Sequence, residues 1–372
     1  MLLCQMCNSA NGSAFPEGEC HICGNGAMKT DAMIEEAKAL LSASNARTFS
    51  ISTIIPKDWL AREENAWDTR LSGAESIKNL LNRRISAALR KSSGAEYCAE
   101  GECKAVFDYS KGKVELRRSE LFVFGRYRKH SAGLSQSRWV CAKCSGNGCP
   151  QCSGKGKLYE SIEERIGEPF KSALGAKNYI LHASGREDVD ATNSAGRPFV
   201  LEISEPQARP PDLAAIGKEV ASRGDVSVSD LRIVPRNFAE VVTESHFDKA
   251  YETDVEFEKD IDDAEIAKIR SLEGVTILQQ TPNRVAHRRA DLIRHRKVKH
   301  VEVVRREGHD ARHACLIIKA EAGTYIKELI SGDGGRTNPS VSGLLSMNAV
   351  CRRLEVTMID DGFLDFVLER IS

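Results

Sequence analysis

The chain of 372 residues predicts an α+β fold: a mixed, largely antiparallel sheet with helices packed on it, preceded by a metal-stapled α+β accessory region. Three observations predict it. Strand-like and helix-like runs mix without regular βαβ alternation. Eight of the twelve cysteines fall in four C-x2-C pairs. The composition, 41% apolar with 53 basic against 53 acidic residues, is that of a soluble globular protein of two or three domains.

The opening MLLCQMCNSANG has no basic segment followed by an apolar core, and no run of eighteen apolar residues occurs anywhere. A cytosolic, cytoplasmic protein with no membrane partner is therefore expected. In a chain this long without a secretory start, paired cysteines point to metal rather than to a disulfide scaffold.

Residues 1–30 are too few to bury a core, yet they carry Cys4, Cys7, Cys20 and Cys23 in a C-x2-C-x12-C-x2-C pattern. That spacing lets four thiolates converge on one Zn²⁺ and leaves no open position, so a structural, zinc-ribbon-like module is expected. Residues 31–158 read as an accessory α+β domain. Its helices are AMIEEAKALLSA and AESIKNLLNRRISAALRKS, where Ile77, Leu80, Leu81, Ile85 and Leu89 recur at three- and four-residue spacing. Its strands are AVFDY and KVELRRSELFVFG. It ends in WVCAKCSGNGCPQCSGKGK, where Cys141, Cys144, Cys149 and Cys152 either bind one zinc together or lend one pair to Cys98 and Cys103. Cys315 and Cys351 lie in strand-like runs and read as small buried apolar residues.

Residues 159–372 form the remaining domain. SIEERIGEPFKSALGA, DLAAIGKEVASR and the Asp-led DIDDAEIAKIRSL read as helices. PFVLEI, VTILQQ, RHACLIIKAEA and VCRRLEVTMID read as strands, and AEVVTESHFDKAYETDVEFE as one or two more. Charge is segregated here: residues 284–306 hold nine arginines and lysines against two acids, and residues 252–265 hold eight acids against one lysine. The basic strip is suited to a run of phosphates, although a charge run is also what a solvated face looks like.

The stretch SGREDVDATNSAGRPFVLEI, residues 184–203, crowds Glu187, Asp188 and Asp190 between two Gly-Arg pairs. By itself this is a solvated acidic turn, with Gly185 and Arg186 making a sharp bend ahead of the strand. Its GRED, however, resembles the Gly-Arg-x-Asp pattern around the catalytic aspartate of pseudouridine synthases. Four blocks in order, FGRYRKHSAGLSQSRW, SGREDVDATNSAGRPFVLEI, QQTPNRVAHRRADLIR and AGTYIKELISGDGGRTNPS, resemble the archaeal and eukaryotic tRNA pseudouridine synthase family numbered ten, which modifies uridines fifty-four and fifty-five of the TΨC arm. The blocks cover over half of the chain.

The resemblance implies a pseudouridine synthase catalytic domain and a zinc-bearing accessory domain containing a THUMP-like RNA-binding unit. It makes Asp188 the catalytic aspartate, with Tyr251 stacking on the target base and Lys327 as the basic partner of the aspartate. Ile326 and Leu354 become apolar walls, and the segment carrying Arg284, Arg288 and Arg289 becomes a loop that grips tRNA. Glu187 is read as a surface neighbour, and Asp190 as the rival of Asp188 that lacks the Gly-Arg-x-Asp spacing. The chemistry agrees with these residue types: the isomerisation needs no redox change and no organic cofactor, but it does need an ionised carboxylate near the sugar. An ammonium group a few ångströms away lowers an aspartate pKa by about one to three units. The expected partner is the elbow of tRNA, bound by a monomer; a non-catalytic zinc-ribbon RNA-binding protein is the alternative.

Overall fold

The computed structural model describes residues 1–10, 15–44, 46–66, 75–92, 94–99, 101–208, 212–288, 290–306 and 310–371, the side chains of 92, 287 and 288 excepted. It divides into two compact units, Met1–Glu120 with Glu205–Gln207, and Leu121–Ser204 with Ala208–Ser372.

In the first unit, strands β1 (Thr48–Ile54), β2 (Glu96–Tyr97), β3 (Cys103–Asp108) and β4 (Lys113–Arg118) form a sheet in the order β2-β1-β3-β4. The helices Thr30–Ser44 and Ile77–Ser92 cover it, burying the expected Ile77, Leu80, Leu81, Ile85 and Leu89. The cysteine-bearing residues before them are not a separate module. Leu3, Met6 and Ile22 share one apolar core with Trp59, Leu81 and Phe107, because a metal knuckle with so few apolar side chains needs a neighbour's surface to bury them against.

The second unit is built on β5 (Leu121–Lys129), β6 (Asn178–Ala183), β7 (Thr192–Ser204), β8 (Val226–Ile233), β9 (Lys249–Phe257), β10 (Thr276–Gln280), β11 (Ile293–Val304), β12 (His313–Ala320), β13 (Thr337–Asn338) and β14 (Ala349–Ile359). They run in the order β13-β10-β11-β12-β9-β14-β7-β5-β8, with β6 on β7. Every pairing is antiparallel except β14 with β7, so the sheet is mixed and largely antiparallel as the sequence predicts. The helix Ile162–Leu174 starts on a capping box between Ser161 and Glu164 and stops at Gly175 in the left-handed region.

Three expectations are corrected. The division between units falls after Glu120, not near residue 158, so β5 and the second cysteine cluster belong to the second unit. The run KVELRRSELFVFG is two strands: β4 ends before Ser119, whose hydroxyl and amide bond Gly101 and Glu102, and β5 joins the other sheet. A continuous strand-like pattern carries no mark of which sheet each half pairs with. Residues 239–244, read as strand, belong to the helix Phe238–Glu244, which buries Phe238, Ala239 and Val242 on one side.

The charge segregation also resolves into pairs. Glu252, Asp254 and Glu256 on β9 meet Arg353 and Arg352 of neighbouring β14, and Arg306 joins Glu252, a cross-strand arrangement that relieves the repulsion within each run.

Candidate active site

The hairpin of β6 and β7 holds the acidic loop, residues 184–191. Gly185 has φ +76°, a left-handed conformation glycine adopts without steric cost, and a Cβ there would lie 3.1 Å from Arg197 Nη1. Arg197 Nη1 donates to Ser184 O at 2.7 Å, and its Nε lies 2.8 Å from Glu187 Oε2. The Tyr127 hydroxyl donates to the same carboxylate at 2.8 Å, and Asn193 Nδ2 reaches its other oxygen at 3.3 Å. The side chains of Arg197 and Glu187 are 1% and 2% exposed. Glu187 is thus an inward anchor rather than a surface neighbour. Burial opposes the Arg197 charge, but the adjacent carboxylate outweighs it and raises the guanidinium pKa.

Lys129 of β5 braces the same loop by donating to the carbonyls of Leu134, Asp188 and Val189 at 2.9, 3.1 and 2.7 Å. Burial brings its pKa down to about 8. With Glu187 drawn inward, Asp188 lines a cavity of about 390 Å³.

That cavity gathers residues far apart in sequence. Tyr251 comes from β9, Leu354 from β14, Ile326 and Lys327 from the start of the helix Ile326–Ser331, and Arg284 from the turn Asn283–Arg288. Tyr251, Ile326 and Leu354 are buried, and burial pushes the Tyr251 hydroxyl up to about 12, so it presents a neutral aromatic ring. Arg289 and the side chain of Arg288 lie outside the described residues.

The ion pairs differ from the simple aspartate–lysine couple expected. Lys327 Nζ lies 3.6 Å from Asp188 Oδ2 but bonds both oxygens of Asp190, at 2.6 and 2.7 Å. Burial would raise the Asp190 pKa, yet Lys327 outweighs it and lowers the value. The short contact to Asp188 is made by Arg284, whose Nη1 donates to Oδ1 at 2.7 Å while its Nε donates to buried Glu328 at 2.6 Å. Burial opposes the Arg284 charge, and Glu328 and Asp188 together overcome it, raising its pKa. Asp190 is 69% exposed against 29% for Asp188, and Asp188, not Asp190, lines the cavity. Arg186 stacks 4.3 Å over the Trp139 ring, and Arg336 braces the 281–291 segment through Thr281 O and Asp291.

Glu187, Arg197, Lys129 and Glu328 escape a reading of the sequence. A lysine or glutamate that will be buried has the same local pattern as an exposed one, and only the pairing partners, here up to sixty residues away, distinguish it.

Cys4, Cys7, Cys20 and Cys23 bring four Sγ atoms within 4.8 Å of one another, and so do Cys141, Cys144, Cys149 and Cys152. Separations of 3.5 and 3.6 Å in the first cluster and 3.7–3.9 Å in the second fit the edge of a tetrahedron about 3.8 Å long around an ion with Zn–S bonds of about 2.3 Å. Backbone N–H groups of Gly148, Cys149 and Gly156 point at Sγ atoms of the second cluster, each at 3.2 Å, the outer-shell support that thiolates need. Both sets fit a metal ion. Cys98 and Cys103 join neither. Cys315 is buried and Cys351 half-buried beside Thr253.

Comparison with known proteins identifies relatives of this chain. The family model described as "Pus10, C-terminal" matches residues 122–360. The tRNA pseudouridine synthase Pus10 of Korarchaeum cryptofilum is 34% identical over 363 residues, covering 95% of this chain and 96% of that one. Its counterpart in Archaeoglobus fulgidus is 35% identical, covering 96% and 100%, and that of Methanocaldococcus jannaschii 39% identical, covering 90% and 73%. The class these matches and the cavity define is the RNA pseudouridine synthases, isomerases built on an α+β sheet. Within that class, the chain belongs to the Pus10 family.

Proposed function

We propose that the protein isomerises uridine to pseudouridine in the TΨC arm of tRNA, at positions fifty-four and fifty-five, with Asp188 as the catalytic carboxylate. The observation that carries this is the convergence of Asp188, Tyr251, Arg284, Ile326, Lys327 and Leu354 on one cavity. In the reaction the C1′–N1 bond breaks, a C1′–C5 bond forms, and hydrogen is lost at C5 and gained at N1. The sum is zero, so no cofactor is consumed. Asp188 acts at the ribose, by addition to C1′ or removal of a sugar proton; both routes need its ionised oxygen. Arg284 and Lys327 keep cationic groups beside that oxygen. The target uridine leaves its stack to enter the cavity, and the Tyr251 ring offsets the loss with a stacking contact worth about 1–3 kcal/mol. Ile326 and Leu354 exclude water from the other face.

The protein works as a cytoplasmic monomer that recognises the tRNA elbow by shape and phosphate contacts. Arg288 and Arg289 belong to the gripping segment, and the first unit adds an RNA-binding surface of the THUMP-like kind, a reading supported by its α+β make-up. Each cysteine cluster holds one structural Zn²⁺. Native mass spectrometry is expected to find two zinc ions per chain, with Cys20→Ser losing one and Cys152→Ser the other; a chain that binds none overturns the assignment.

Incubating purified protein with an unmodified tRNA transcript, without any cofactor, tests the activity. Pseudouridine at the TΨC positions is the expected product. Binding without conversion would favour the non-catalytic alternative.

A further inference from the structure

The basic strip is not uniform once folded. Among the described residues Arg284, Lys299, His300 and Arg306 each have a carboxylate partner: Asp188 and Glu328, Asp248, Glu273, and Glu252. Arg294 and Arg296, two residues apart on β11, have only neutral ones. Arg294 Nη1 donates to Thr281 Oγ1 at 2.9 Å and to Leu292 O at 3.3 Å, and Arg296 Nη1 to His295 O at 2.8 Å. The Nε of Arg296 is buried and has no hydrogen-bond partner among the described residues. Both arginines line the catalytic cavity.

Two guanidinium groups brought to a cavity wall without a counter-ion leave an electrostatic demand that an anion meets, and an unsatisfied buried donor is costly until a ligand or solvent fills its place. Gly323 lies beside the Arg296 guanidinium. It has φ +80°, and a Cβ there would sit 3.4 Å from both Nε and Nη2 of Arg296. The guanidinium therefore lies against bare backbone, four residues before Lys327.

We infer that Arg294 and Arg296 form a phosphodiester subsite that holds a backbone phosphate of the RNA next to the extruded uridine. This rests on the tRNA reading above and adds where the strand is gripped. Among the described residues, this sets Arg294 and Arg296 apart from the carboxylate-paired cations of the strip as contacts for the substrate backbone.

The test measures tRNA affinity against salt concentration, with conversion followed in parallel, for the wild type, Arg296→Gln and Arg296→Lys. Arg296→Gln is expected to weaken binding about tenfold and to reduce the magnitude of the slope of log K against log salt by about 1. Arg296→Lys, which keeps the charge, is expected to recover the slope. A transcript carrying a neutral methylphosphonate at a linkage flanking the target uridine should bind the wild type and Arg296→Gln equally. Unchanged affinity and slope in Arg296→Gln, or an Arg296→Gln defect that persists undiminished at both neutral linkages, overturns the subsite. Loss of conversion in the wild type with the salt effect intact would instead refute the catalytic reading and leave the subsite standing.

Discussion

Asp188→Asn is expected to abolish pseudouridine formation, lowering kcat on the order of 10⁴-fold or more, as removal of a reacting group does, while tRNA still binds. The loop is held by Arg197, which donates to Ser184 O and pairs with Glu187, and by Lys129, which donates to the carbonyls of residues 188 and 189, and none of these bonds uses the Asp188 side chain. An asparagine keeps the oxygen that accepts from Arg284 Nη1, so the cavity survives; what it loses is the negative charge. Filter binding and site-specific detection of pseudouridine in the same preparations separate the two functions. Turnover within tenfold of the wild type would remove Asp188 from the mechanism.

The second large effect lies beneath it. Glu187→Ala is expected to destabilise the second unit by about 3–5 kcal/mol, the cost of leaving a buried charge without its partner, and to lower activity because the next residue in the loop is Asp188. Arg197 is left buried with only Ser184 O as an acceptor among its named partners, and the Tyr127 hydroxyl loses the carboxylate it donates to. Denaturant unfolding followed by the second unit's aromatic signal reads the change. The double variant Glu187→Met with Arg197→Met should recover a large part of the stability, since an apolar pair removes both charges together. A Glu187→Ala protein within 1 kcal/mol of the wild type would show that the pair does not hold the loop.

The two predictions separate roles that adjacent residues make easy to confuse. In GRED the carboxylate of residue 187 is spent on a buried pair with Arg197, while that of residue 188 is half-exposed at the cavity. Spacing from the Gly-Arg pair picks out Asp188, but nothing in the four letters says that Glu187 is the anchor. The same holds for the cation: TYIKE marks Lys327 as a basic neighbour, and it is one, yet its two short bonds go to Asp190 and the 2.7 Å contact to Asp188 comes from Arg284.

Local pattern was enough where a feature depends on near neighbours. Cysteine pairs, the amphipathic spacing of Ile77 to Leu89 and the mixed order of strands and helices are all written within a few turns of chain, and the fold class and the first metal-fitting cluster follow from them, whereas the second cluster was open between a single site and a pair shared with Cys98 and Cys103 until the structure joined its four Sγ atoms. The tertiary structure alone decided which sheet receives Leu121–Lys129, where the two units divide, which acids are buried, and which arginines of the basic strip face the cavity without a counter-charge. Those outcomes depend on partners far away in sequence, and the energy of an ion pair is set by burial and by that distant partner rather than by the residue's own surroundings in the chain.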